Sequence, residues 1–140
     1  MEAKPCFISL IDHNDRPLLV FVAKDENTGN DVEFKFNTFS NMALDYFSSD
    51  LYEWMNTSQE NREIKDLFQL EGVAVYGKLV KQTSLKIVVG FWSQSECGHE
   101  TLGRVFNEIS RLYVRCKFNP FLESNEDLIE QLQKTLSERF

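Results

Sequence analysis

The sequence predicts an α+β domain: a five-stranded, mainly antiparallel sheet with helices on both faces. Three observations predict it. The element order reads β-β-α-β-β-β-α-α along the chain. The clearest strands carry nearly continuous apolar runs, Val73-Ala74-Val75-Tyr76 and Ile87-Val88-Val89, the pattern of strands covered on both faces. A long amphipathic helix follows, in which Leu102, Val105, Phe106, Ile109, Leu112, Tyr113 and Cys116 recur at spacings of three and four. At 100° per residue these side chains share one arc of about 120°. With 140 residues, twelve of them phenylalanine, the chain reads as one domain, 1–140, with enough apolar mass for a real core.

In chain order, Cys6 to Asp12 is a short apolar strand, ended by His13-Asn14-Asp15-Arg16, residue types that bond their own backbone in turns. Pro17 to Val22 forms the second strand of a hairpin, with Pro17 at the first position, where a missing N–H does least harm. Lys24 to Asp31 is a polar loop. Val32 to Phe36 reads either as an extension of the second strand or as an irregular run into the first helix. That helix spans about Ser40 to Asn56, capped by Thr38 or Ser40. Its core face holds Phe39, Ala43, Leu44, Tyr46, Phe47, Leu51, Trp54 and Met55. Asp66 to Glu71 has strand character before Gly72, and Val73 to Lys81 and Leu85 to Phe91 complete the sheet. The long helix begins near Thr101 and stops at Phe118-Asn119-Pro120-Phe121, where the proline pushes its predecessor out of helical geometry. Ser124 caps a last helix, Glu126 to Phe140, with Leu128, Leu132, Leu136 and Phe140 at every fourth position.

Composition excludes several classes. A net charge of −7, from 15 basic and 22 acidic residues, argues against nucleic acid or an anionic membrane as the main partner. No run approaches a membrane span, Met1 to Pro5 lacks the build of a signal peptide, and Glu2 stands where myristoylation needs glycine. Cys6, Cys97 and Cys116, odd in number and far apart, read as reduced thiols of a cytosolic chain. His13 and His99 have no second ligand at metal spacing, and Cys97-Gly98-His99 does not make a zinc site alone. No nucleophile elbow, P-loop or dinucleotide fingerprint occurs. The expectation is a chain without catalytic residues, metal or cofactor.

Two surfaces remain as candidates. On the first helix Met42, Asp45, Ser49 and Tyr52 stand at i, i+3, i+7 and i+10, a ridge pointing away from the core. It is either a set of ordinary exposed residues or a partner-binding face. On the long helix Arg104, Glu108, Arg111 and Arg115 line an outer strip. Spacings of three and four make it a self-paired, solvated face, or alternatively a basic strip for an acidic partner or lipid headgroups.

Cys6-Phe-Ile-Ser-Leu-Ile-Asp12, Ala43-Leu44-Asp45, Tyr76-Gly77 and Lys117-Phe118-Asn119-Pro120-Phe121, in this order, resemble the sedlin family, small subunits of the transport protein particle (TRAPP) complexes. Phe68 to Val73 and Lys81 to Val88 are most similar to the fungal, TRAPP-associated branch. The resemblance covers essentially the whole chain. It implies a SNARE-like (longin-like) fold, with the first helix on one sheet face and the later helices on the other. It also implies a non-catalytic subunit that assembles or stabilises a TRAPPII-type Rab exchange factor in ER–Golgi and intra-Golgi traffic. Its partners would be other TRAPP subunits and, indirectly, a Rab GTPase. It would be cytoplasmic and peripheral at the Golgi through the complex only. The family's subunit-contact aspartate corresponds to Asp45. The Asn119-Pro120-Phe121 element reads as a structural stop that buries its aromatics. Ala43 stands where sedlin relatives often carry serine, so no hydroxyl-dependent contact is implied there. The alternative is a stand-alone longin-like or profilin-like module regulating membrane fusion or binding another partner.

Overall fold

The computed structural model describes residues 5–12, 14, 16–23, 34–46, 64–70, 72–80, 85–92, 99–121 and 124–139, the side chains of 64–66, 99 and 125 excepted. Five strands, β1 (Phe7–Ile11), β2 (Pro17–Val22), β3 (Ile64–Leu70), β4 (Val73–Val80) and β5 (Leu85–Trp92), form one sheet in the order β2-β1-β5-β4-β3. Every pairing is antiparallel. Three helical segments accompany it among the described residues: α1 (34–46), α2 (His99–Lys117) and α3 (Asn125–Arg139). The chain leaves the sheet after β2, re-enters at the far edge as β3 and returns through β4 to lay β5 beside β1.

The central strands are buried at both parities, which explains their unbroken apolar runs. Ile8 and Leu10 of β1, with Leu85, Ile87, Val89 and Phe91 of β5, face a core shared with α2 and α3. Phe7 and Ile11, with Val88 of β5 and Val73, Val75 and Leu79 of β4, face a second core closed by α1. A bulge between Asp66 and Phe68 adds one residue to β3, and both Leu67 and Phe68 join this second core. Phe7 pairs across the strands with Gly90, and a β-carbon there would lie 2.1 Å from the Phe7 ring. The ring occupies the space a side chain would need.

All seven predicted positions of α2 join the first core, Leu112 only partly buried. In α3, Leu132 and Leu136 are buried and Leu128 partly so; Phe140 lies outside the described residues. Ser124 caps α3 as predicted: its Oγ accepts from the Asp127 N–H at 3.2 Å, and its carbonyl accepts from Leu128 at 3.1 Å. The hairpin turn is organised one residue earlier than expected. Asp12 Oδ1 accepts the Asn14 and Arg16 N–H groups, both at 2.9 Å.

The start of α1 departs from the prediction. The helix is already under way at Phe34, so neither Thr38 nor Ser40 is its cap. Both hydroxyls work inside the helix instead. Thr38 Oγ1 donates to the Phe34 carbonyl at 2.9 Å, and buried Ser40 shares a 2.6 Å hydrogen bond with Ser9 of β1. What decides the helical start is burial. Phe36 stacks on Phe7 at 4.7 Å and leans toward Trp92 at 6.1 Å. As a helix, 34–46 places Phe36, Phe39, Ser40 and Ala43 on one buried face.

The stop after α2 also differs. Phe118 and Phe121 are 71% and 87% exposed, not buried. The helix ends through Asn119, whose N–H donates to the Cys116 carbonyl at 3.2 Å and whose Oδ1 accepts from Phe121 at 3.0 Å. This local turn needs no help from packed rings.

Candidate functional site

α1 is anchored along one side and open along the other. Phe36, Phe39 and Ala43 are buried, the Ser9–Ser40 bond ties the helix to β1, and Phe39 meets the Phe68 ring edge-on at 5.7 Å. Tyr46, expected on the core face, is 38% exposed and stacks on Phe68 at 5.4 Å. Such anchoring holds the outer face on a rigid element, which limits the conformational cost of presenting it to a partner.

That outer face is centred differently from the predicted ridge. Met42 is half-buried and packs against the second core, because at 100° per residue it lies only 60° from Phe39. Asp45 is exposed. Ser49 and Tyr52 lie outside the described residues. The exposed stripe in the structure is Phe34, Thr38, Asn41 and Asp45, at i, i+4, i+7 and i+11. It runs about 16 Å along the helix axis at 1.5 Å per residue. Phe34, 77% exposed, is the apolar member that sequence reasoning missed. Its signal was the helical spacing to Thr38 and Asn41, hidden by the possible strand reading of 32–36. Chemically, the stripe offers one large apolar anchor, amide and hydroxyl hydrogen-bonding groups, and one carboxylate able to accept charge-assisted bonds.

The second candidate surface lies on the other side of the sheet. Arg104, Arg111 and Arg115 are exposed on α2. Glu108, expected to pair within the strip, forms an ion pair with Arg139 of α3. Arg111 and Arg115 form no ion pair among the described residues.

The described thiols are inert by environment. Burial pushes Cys6 up to about 12 and raises Cys116, so both stay protonated at neutral pH. Cys97 lies outside the described residues, as does the His99 side chain. Among the described residues no group of three or more His, Cys, Asp or Glu is placed to hold a metal ion. Among them, too, no helix is long and apolar enough to cross a membrane.

Comparison with known proteins adds the context for these faces. The chain is 42% identical over 147 aligned residues to the TRAPP-associated protein TCA17 of Saccharomyces cerevisiae, covering all of this chain and 95% of that protein. The sequence model of the Sedlin family matches residues 10–138. With the α+β architecture and both helical layers in place, this match spans nearly every element described above, and the chain belongs to the sedlin family, with its longin-like fold.

Proposed function

We propose that this chain is a non-catalytic subunit that assembles or stabilises a TRAPP complex of the TRAPPII type. The observation that carries the reading is the full-length similarity to a TRAPP-associated protein. In this reading the chain contributes no reacting group. It acts by binding other TRAPP subunits, supports Rab exchange indirectly, and reaches the Golgi membrane in ER–Golgi and intra-Golgi traffic through the complex only.

The contact lies on the outer face of α1 around Asp45, the exposed member of the predicted ridge, with half-buried Met42 at its margin; Ser49 and Tyr52, the ridge's other members, lie outside the described residues. Phe34 belongs to the same face by its position in the exposed stripe. The physical support is the combination of a rigidly backed helix, an exposed aromatic and an exposed carboxylate. A partner cation or backbone N–H group that meets Asp45 away from water forms a bond stronger than a neutral one. The test is affinity purification of the tagged chain from its native cells. Stoichiometric recovery of other TRAPP subunits is expected; recovery of none overturns the reading.

A further inference from the structure

The two exposed phenylalanines at the end of α2 belong to a larger surface. Arg104, Asn107, Arg111, Val114, Arg115 and Phe118 are all exposed and fall on one ridge of the helix. At 100° per residue they span about 100°, opposite the buried stripe of Phe106, Ile109, Tyr113 and Cys116. Phe121 follows in the turn just beyond the helix end, its N–H donating to Asn119 Oδ1. The apolar members gather at that end: Val114 is 43% exposed, with the nearly bare Phe118 and Phe121 following. From Ser110 to Phe121 the chain holds Arg111, Arg115 and Lys117 and no acidic residue, against a net charge of −7 for the whole.

The backbone that carries the two rings is held by local hydrogen bonds. Asn119 closes the helix through its own N–H and side chain, and Pro120 fixes its φ, so little backbone freedom remains to be lost on binding. Isolated exposed apolar residues need no explanation. Three of them beside two arginines that form no ion pair among the described residues make a patch with a definite complement.

We propose that this ridge is a second docking surface, separate from the α1 face, and that its occupant is a partner protein's acidic segment carrying interspersed apolar side chains. Aspartates or glutamates of that segment pair with Arg111 and Arg115, and its apolar side chains cover Val114, Phe118 and Phe121. Charge selects the segment against a bilayer. A flat anionic membrane faces more of the molecule than the ridge alone and is repelled by the acidic residues behind the chain's net charge of −7. A narrow peptide engages the ridge without them.

The test selects peptides from a random display library on the full chain alone and then measures each enriched peptide on the chain and on the Arg111→Glu/Arg115→Glu variant. Enriched peptides should interleave Asp or Glu with Leu, Phe or Trp. They should bind the variant at least about tenfold more weakly, with an affinity that falls as salt rises. A Phe118→Ser/Phe121→Ser variant, altered only at exposed positions, should weaken the same peptides while retaining the thermal melting point. Absence of enrichment, peptides without acidic bias, or equal binding to the charge-reversed variant would overturn the proposal. So would co-sedimentation with phosphatidylserine-containing vesicles, but not with phosphatidylcholine vesicles, that is lost in that variant. None of these outcomes bears on the α1 face, whose test is co-purification.

Discussion

Gly90→Ala is the sharpest perturbation of the core that supports the α1 face. The added β-carbon would lie 2.1 Å from Phe7 Cε1, 2.5 Å from Cδ1 and 3.1 Å from Cζ. The ring has no easy retreat: it is fully buried, stacked on Phe36 at 4.7 Å and 6.4 Å from Phe39. Either the ring leaves its rotamer and pushes the aromatic layer, or β1 and β5 separate where Cys6 donates to the Gly90 carbonyl at 2.7 Å. Overpacking of this kind costs about 2–3 kcal/mol. For 140 residues the melting temperature should drop by about 7–10 °C. Thermal and urea unfolding followed by circular dichroism measure it. A second substitution, Phe7→Leu, removes the clashing ring edge, so the double variant should lose about 1–2 kcal/mol less than the sum of the singles. If Gly90→Ala costs less than about 0.5 kcal/mol, or if the two changes simply add, the ring is not what excludes a side chain at position 90.

Other consequences can be measured on the same protein. Ser40→Ala strands the buried Ser9 hydroxyl and should cost about 1–2 kcal/mol, whereas the Ser9→Ala/Ser40→Ala pair should recover most of it. Ser124→Ala removes the cap of α3 and should cost about 1 kcal/mol in urea unfolding, with Ser124→Asp close to wild type. Cys6 titrates near 9.0 when exposed and about 12 when folded, so the folded state holds its proton where the unfolded state has lost it. Its contribution to stability is therefore complete below pH 9 and is lost as pH rises toward 12; the fall in stability over that window should be shallower in Cys6→Ala.

The sequence exposed those parts of the fold where pattern and burial coincide. The runs of β1 and β5 are apolar at both parities because each parity faces a helix layer, so two covered faces follow from Ile87-Val88-Val89 alone. The arc of α2 and the hydroxyl of Ser124 are equally local signals. The start of α1 was not legible: Val32, Phe34 and Phe36 alternate like a strand, and only the stacking of Phe36 on Phe7, a contact between distant residues, favours the helix. For the same reason Met42 took an outward place in the predicted ridge and Phe34 none. At the end of α2 the proline announced a stop, but a stop does not say whether the flanking rings fall inward. Asn119 satisfies the backbone locally, and Phe118 and Phe121 stay out.

The central claim, that the outer face of α1 binds another TRAPP subunit, is tested most directly by Asp45→Tyr. Asp45 is exposed, so the substitution leaves the core untouched and the melting temperature should hold. It removes a carboxylate and places a bulky ring on the face. The measurement is the stoichiometry of TRAPP subunits recovered with tagged Asp45→Tyr relative to wild type, from the same cells at equal expression. Loss of a charged contact at an interface costs about 2–5 kcal/mol, enough to lower recovery by an order of magnitude or more. A folded Asp45→Tyr protein that recovers TRAPP subunits at the wild-type level would contradict the claim.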